Sequence, residues 1–124
     1  MSETFNTDMR FIESITFMYR LNDEHRIPIK IRKNSRNLSS YIDEADEIVK
    51  VLNKYVKDLS IITRAEWYTD GICHGLILYI SDTRIKMNIL KNIGSDLGMS
   101  VTEISAKPDG EDVILIIHFY CTNP

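Results

Sequence analysis

From Ile15 to Leu21 the chain alternates, with Ile15, Phe17, Tyr19 and Leu21 set against Thr16, Met18 and Arg20. Ile27, Ile29 and Ile31 repeat the alternation against Arg26, Pro28, Lys30 and Arg32. A period of two, carried by β-branched and aromatic residues, predicts two strands. Asn22-Asp23-Glu24-His25 supplies the turn between them. Pairing Leu21 with Ile27, Tyr19 with Ile29 and Phe17 with Ile31 gathers the apolar residues on one face. The other face then carries Arg20, Lys30 and Arg32. Pro28 has no N–H to give to a ladder, so its amide edge should point away from a partner strand.

After a polar loop over 33–38 the period lengthens. Ile42, Ala45, Val49, Leu52, Val56 and Leu59 recur at spacings of three and four, widened by Ile48 and Tyr55. That is the stripe of a core-facing helix. Ser39 or Ser40 is the expected cap, and Ser40 with Asp43 resembles a capping box. Asp43, Glu44, Asp46 and Glu47 come early, and Lys50, Lys54 and Lys57 come late, as the helix dipole favours.

Strands over 61–68 and 72–80 flank Asp70-Gly71, the signal for a two-residue hairpin turn. That turn pairs Trp67 with His74 and Ala65 with Leu76, on a face that should lie under the helices. The other face carries Ile62, Arg64, Glu66, Tyr68, Cys73, Gly75, Ile77 and Tyr79, a mixed set expected to be half exposed. Asp82 or Thr83 caps a second helix with the stripe Ile85, Ile89, Ile93 and Leu97, supported by Leu90. Gly94 weakens that helix and Gly98 is placed to end it. A last hairpin pairs 101–106 with 113–120 about Pro108-Asp109-Gly110. Val113 to Ile117 is apolar on both faces, so it should be an interior strand, covered on both sides or at an interface.

The predicted order is ββα-ββα-ββ: a single α+β domain with a mostly antiparallel sheet and two helices on one face. Residues 1–12 read as a polar N-terminal segment. Residues 26–106 follow βαββαβ, the split βαβ order of ferredoxin-like folds. In a ferredoxin-like sheet the first core strand is central, so the N-terminal strand would compete for its edge. Either that strand pairs elsewhere or the sheet order differs.

The length of 124 residues suits one domain, and 44% hydrophobic with 27% charged residues is a globular composition. Ile occurs 19 times, Asn 8 times, Ala 3 times and Gln never. That bias fits an AT-rich genome, as in a bacterium, a phage or a mobile element. No apolar run reaches the length of a membrane span, and the N-terminus has no signal-peptide pattern. The two cysteines, Cys73 and Cys121, are too few and too distant for a disulfide framework or a zinc ribbon, so both are read as reduced thiols of a cytoplasmic protein.

Fifteen Lys and Arg against eighteen Asp and Glu leave a formal charge of −3. The total excludes a uniformly basic nucleic-acid binder. It conceals a basic island, because residues 26–36 hold Arg26, Lys30, Arg32, Lys33 and Arg36 and no acid. With Arg20 on the same strand face, these residues are the candidate site for an anionic partner. A solvated strand face that discourages edge-to-edge aggregation would look the same.

No phosphate-binding glycine loop, zinc-protease, CxxC or nucleophile-elbow motif is present. His74, on the expected core face beside Trp67, and His118 are more ordinary as hydrogen-bonded structural residues than as ligands or catalysts. Cys73 with His74, and Cys121 with His118, point to opposite strand faces and make no dyad. The carboxylates at 43–47 suit a helix start and do not require a metal. No catalytic, cofactor or metal site is assigned.

These features lead to a small non-enzymatic protein-binding module, an inhibitor, immunity-type or adaptor protein, with another protein as partner. Single-stranded nucleic-acid or nucleotide binding is the alternative. Tyr68 and Tyr79, with Arg64 beside them, form an exposed sheet face on which bases would stack. An enzyme using His74 or His118 is a third reading. A homodimer is expected from the two-sided apolar strand, and no membrane partner is expected.

Overall fold

The computed structural model describes residues 13–21, 25–55, 62–69, 73–81 and 85–121. The segment 1–12, the expected turn residues 22–24 and 70–71, the expected caps Asp82 and Thr83, and Val56 and Leu59 of the first stripe lie outside the described residues.

Six strands are described: β1 (Glu13–Leu21), β2 (His25–Lys33), β3 (Ile62–Thr69), β4 (His74–Ile80), β5 (Met99–Asp109) and β6 (Asp112–Cys121). They form one sheet in the order β1-β2-β3-β4-β6-β5, parallel between β2 and β3 and antiparallel elsewhere. Helix α1 (Leu38–Tyr55) connects β2 to β3, and α2 (Met87–Asp96) connects β4 to β5. The α+β order read from the sequence is the observed one. Both helices pack on the same face, against a shared apolar core and against each other. Among the described residues no helix is long and apolar enough to cross a membrane.

The order settles the competition for the edge of β2. β1 takes one edge and β3 the other, so β2-α1-β3 joins direct neighbours. β4 and β5 instead flank β6, so only the β4-α2-β5 half is a split βαβ unit. The first half therefore departs from ferredoxin-like order. Pro28 lies at a boundary, because the described β2–β3 pairing starts at Ile29, immediately after it. A residue without an N–H suits the place where a ladder stops.

Two strand registers differ from the expected ones by two residues. In β1–β2, Leu21 faces His25, Tyr19 faces Ile27, Phe17 faces Ile29 and Ile15 faces Ile31. The slip keeps every side chain on its face and brings Ile15 into the apolar row. In β3–β4, Trp67 faces Leu76 and Thr69 faces His74, so the connection is longer than a two-residue turn. In this register Tyr68 faces Gly75, and a side chain at 75 would overlap the Tyr68 ring. A register shift between Ile62 and Arg64 turns Ile62 inward, where it is fully buried and not on the mixed face. A bulge does this by adding one residue to one strand. In the last hairpin Asp109 faces Asp112 across Gly110-Glu111, with Gly110 at φ 67°.

Helix α1 starts earlier than expected. Asn37, not Ser39 or Ser40, caps it, because its Oδ1 accepts from the Ser39 N–H at 3.1 Å. The acids at 43–47 therefore lie beyond the first turn. Two of them hold strands instead. Glu44 accepts from Lys33 Nζ at 3.1 Å, and Asp46 accepts from the Tyr19 hydroxyl at 2.6 Å. The buried stripe is Tyr41, Ala45, Ile48, Val51 and Leu52, rotated so that Ile42 is exposed. Tyr41 is fully buried, and its hydroxyl lies 2.5 Å from the Ser35 carbonyl, which pins the β2–α1 loop.

In α2, Leu90, Ile93 and Gly94 are buried. Lys86 precedes the helix without a side-chain cap, and Gly98 follows it at φ 71°. Gly94 does not end the helix. A Cβ there would come within 2.6 Å of the Met99 carbonyl, so glycine is what lets α2 lie close on β5.

The core rows cross the sheet. Ile29, Ala65, Leu78 and Ile117 form one, and Ile31, Trp67, Leu76 and Phe119 the next. Each fully buried Ile, Leu or Phe contributes about 1.5–3 kcal/mol relative to exposure.

Candidate functional site

The helices cover one face of the sheet. Residues one step along each strand therefore point to the other face, which the described chain leaves open. Register places them in rows from β2 to β5. Arg32, Tyr68, Gly75, Tyr120 and Ser100 form one row. Lys30, Glu66, Ile77, His118 and Glu103 form the next. Arg64, Tyr79, Ile116 and Ser105 continue beyond it, with Ile114 and Lys107 further on.

The centre of this face is apolar and aromatic. Ile77, Tyr79, Ile114, Ile116, Tyr68 and Tyr120 are all partly exposed. Tyr68 and Tyr120 stack at 6.4 Å across Gly75, with their planes 27° apart. Arg64 lays its guanidinium 3.9 Å over the Tyr79 ring. The same pair borders a cleft of about 270 Å3 that reaches Lys107 and Asp109. A larger cleft of about 460 Å3 lies between α2 and β5, lined by Met87, Lys91, Ser95 and Val101 among others. Lys91 is the sole charged residue in that lining, which offers little for chemistry.

The basic island divides. Arg20, Arg26, Lys30 and Arg32 stand on the open face. Arg32 is neutralised there, with Nη1 2.8 Å from Glu66 Oε2. Lys33 is on the helix side, paired with Glu44 and 5.6 Å from the Tyr41 ring centroid. Arg36 is exposed in the loop before α1. Arg64, Tyr68 and Tyr79 do share the open face, as expected. Arg20 and Arg26 are exposed and directly opposed in the β1–β2 pairing, a like-charge juxtaposition that disfavours the sheet.

The opposite border is acidic. Asp109 and Asp112 are directly opposed at the β5–β6 tip and exposed, with Glu111 between them in sequence and Glu103 further down β5. Across one face the charge thus runs from positive at β1–β2, through an apolar centre, to negative at β5–β6. The sequence placed Ile114 and Ile116 on a two-sided apolar strand, covered on both sides or at an interface, but Tyr120 and the acidic pair were not recognised as part of that surface, because the strand they adjoin was not visible.

The histidines do not converge. His74 stacks on Trp67 at 5.0 Å, but it is not the direct cross-strand partner of Trp67 that was expected, and it is exposed at the strand end and not on the core face. His118 is half-buried on the open face, with Nδ1 3.5 Å from Glu103 Oε1. Displaced proton affinities occur on the helix side. Tyr19 is pushed up to about 12, chiefly by burial and then by its bond to Asp46. Hydrogen bonds from Lys54 and then Tyr55 hold the Asp96 carboxyl below its usual range.

Cys73 and Cys121 form a disulfide, with Cα atoms 5.6 Å apart. This overturns the reading of two reduced thiols. The bond ties the entry of β4 to the end of β6, beside Gly75 and Tyr120, which face each other in the β4–β6 pairing. The separation of 48 residues hid the pair, because only the β4–β6 pairing brings the two together.

No family model, no curated protein and no solved structure matches this chain.

Proposed function

We propose that this chain is a non-enzymatic protein-binding module, of the inhibitor, immunity-type or adaptor kind, that receives its partner on the open face of the sheet. The observation that carries the reading is the strip Ile77, Tyr79, Ile114 and Ile116, partly exposed between a basic and an acidic border. An apolar centre with aromatic residues and arginine at its margin is the composition of a protein interface.

Single-stranded nucleic acid is the second reading, favoured by Tyr68 and Tyr79 beside Arg32 and Arg64. Protein is preferred for two reasons. Ile77 and Ile116 separate the tyrosines and offer no ring to stack on. Glu66 already neutralises Arg32.

A benzophenone side chain at position 116 tests the proposal in native lysate. The expected result is one protein adduct from position 116 and none from position 50, on the exposed side of α1. Equal labelling at both positions, or no adduct at 116, overturns it. Labelled single-stranded RNA and DNA are titrated in parallel at low salt. Affinity that falls steeply with salt and is lost in Arg32→Ser and Arg64→Ser would install the nucleic-acid reading instead.

A cytoplasmic setting belongs to the same proposal and is tested at Cys73 and Cys121. Reducing systems there keep most cysteines free, so the Cys73–Cys121 bond speaks against this setting. Thiol trapping in intact cells that finds the bond fully formed would move the protein to an oxidising compartment.

A further inference from the structure

We infer that the cleft beside Arg64 and Tyr79 is a carboxylate-receiving site, which takes one acidic side chain from a segment of the partner protein. This rests on the reading of the open face as a protein-docking surface. It adds the chemistry of the partner and the residues that recognise it.

The site begins with a local pairing. Arg64 on β3 and Tyr79 on β4 face each other in the antiparallel ladder, on the open face. The guanidinium lies 3.9 Å over the ring, so the aromatic face covers its flat side. A guanidinium carries its N–H donors in its own plane, and stacking leaves that rim free. The ring also restrains the side chain, which lowers the entropy lost when the donors engage an anion. Arg64 is exposed, and among the described residues no acid pairs with it. Arg32, elsewhere on the same face, is by contrast already closed by Glu66.

The surroundings select the ligand. The cleft holds about 270 Å3, and Thr63, Lys107, Asp109 and Ile114 help to line it. That volume is below the roughly 300–1,000 Å3 of small-molecule sites and suits one side chain better than a nucleotide. Lys107 is a second cation, exposed and, among the described residues, without an ion pair. Asp109 is the single acid of the lining, so Arg64 and Lys107 against Asp109 leave a formal charge of +1. A monoanion balances that charge. A phosphate group, at about −1.5 to −2, would exceed it and meet Asp109. The planar fork of Arg64 matches a carboxylate, which accepts two parallel N–H bonds.

The apolar centre lies directly beside the cleft. Ile116 on β6 is the partner of Tyr79, and Ile114 is the next open-face residue along that strand. An acid entering the cleft therefore sits at the margin of an apolar contact. Exclusion of water there strengthens charge-assisted bonds, and arginines in such positions concentrate binding energy.

Nuclear magnetic resonance on the intact, 15N-labelled chain at pH 7 tests this. The probes are the capped peptides Ac-Ile-Glu-Ile-NH2 and Ac-Ile-Gln-Ile-NH2, and inorganic phosphate at equal ionic strength. The glutamate peptide should shift the Arg64 Nε–H resonance saturably, with a Kd below about 10 mM and at least about tenfold tighter than the glutamine peptide. Phosphate should bind more weakly than the glutamate peptide. Arg64→Lys keeps the charge but removes the fork, and should weaken the glutamate peptide at least about fivefold, read on the Tyr79 and Ile116 amides. The peptide comparison uses the wild-type chain, so it stands even if Arg64→Lys does not fold. Equal binding of the two peptides, tighter binding of phosphate, no saturable shift up to about 20 mM, or no loss in Arg64→Lys overturns the inference. A shift of the same resonance as the chain alone is concentrated would make the donor a second copy, and overturns the assignment to another protein. An adduct that still forms from position 116 in lysate, for wild type and Arg64→Lys alike, separates this failure from failure of the docking-surface reading.

Discussion

The Tyr68 ring lies across Gly75, its direct partner in the β3–β4 pairing, and occupies the space a side chain there would need. This contact matches the two-residue slip in register and places Tyr68 against Tyr120 on the open face. Glycine is required here for the close approach of a ring. At Gly94 it is required for the close approach of backbone.

The two glycines should therefore respond differently to alanine. At Gly75 the obstacle is the far end of a side chain, which can swing aside. Gly75→Ala should cost under about 1 kcal/mol and shift the Tyr68 and Tyr120 ring resonances. At Gly94 the Met99 carbonyl cannot withdraw without moving β5. Gly94→Ala should cost about 1–3 kcal/mol by overpacking, although alanine favours a helix interior by about 1 kcal/mol. Urea unfolding of both variants checks the order.

The Cys73–Cys121 bond closes a loop with a sequence separation of 48. In the chain-entropy account such a loop is worth about 4 kcal/mol. The double variant Cys73→Ser with Cys121→Ser should lose roughly that amount in denaturant unfolding without reductant. Added reductant should bring the wild type down to the same stability.

Tyr19 provides a pH dependence of known sign. Its folded pKa is raised from 10.0 to about 12 by burial and by Asp46. The folded state therefore holds the proton more tightly, and this contribution is fully present below pH 10. It should be lost as pH rises from about 10 to 12. Tyr19→Phe removes the dependence. The wild-type minus Tyr19→Phe stability difference, measured by urea unfolding across that window, should shrink towards alkaline pH. A difference that stayed constant would mean that the Tyr19 pKa is not raised in the folded state.

The divided basic island predicts a divided response. Lys33 is paired with Oε2 of the part-buried Glu44, whose Oε1 is buried without a hydrogen-bond partner. Lys33→Ser should cost about 1.5–3 kcal/mol, as expected for a hydrogen bond to a charged group. Arg20→Ser and Arg26→Ser should stay within about 0.5 kcal/mol or stabilise slightly, since each relieves a like-charge pair. Thermal unfolding of the three variants side by side reads this directly.

Much of the fold was legible in the sequence because the signals were local. Alternation over 15–21 and 27–31 and the continuous apolar run over 113–117 marked strands, and the three–four spacing over 42–59 marked a helix, since each depends on a few neighbouring residues. Face assignment survived two slipped registers, because a slip of two leaves every side chain where it was. Within the candidate site, the mixed face with Arg64, Tyr68 and Tyr79 was legible for the same reason.

Tertiary structure decided the rest. Nothing local to Ile62 shows the bulge that turns it inward, and nothing local to Ile42 shows that Tyr41 leads the buried stripe. Lys33 and Arg32 are adjacent in sequence, yet one is paired across to a helix and the other to a strand. Cys73 meets Cys121 only because β6 inserts between β4 and β5, and Arg20–Arg26 and Asp109–Asp112 stand at opposite borders because their hairpins are the two ends of the sheet. The sequence by itself determined which residues share a face, because backbone geometry sets that period. Which strands are neighbours, and so which charges and thiols meet, depends on contacts between distant segments that no local pattern encodes.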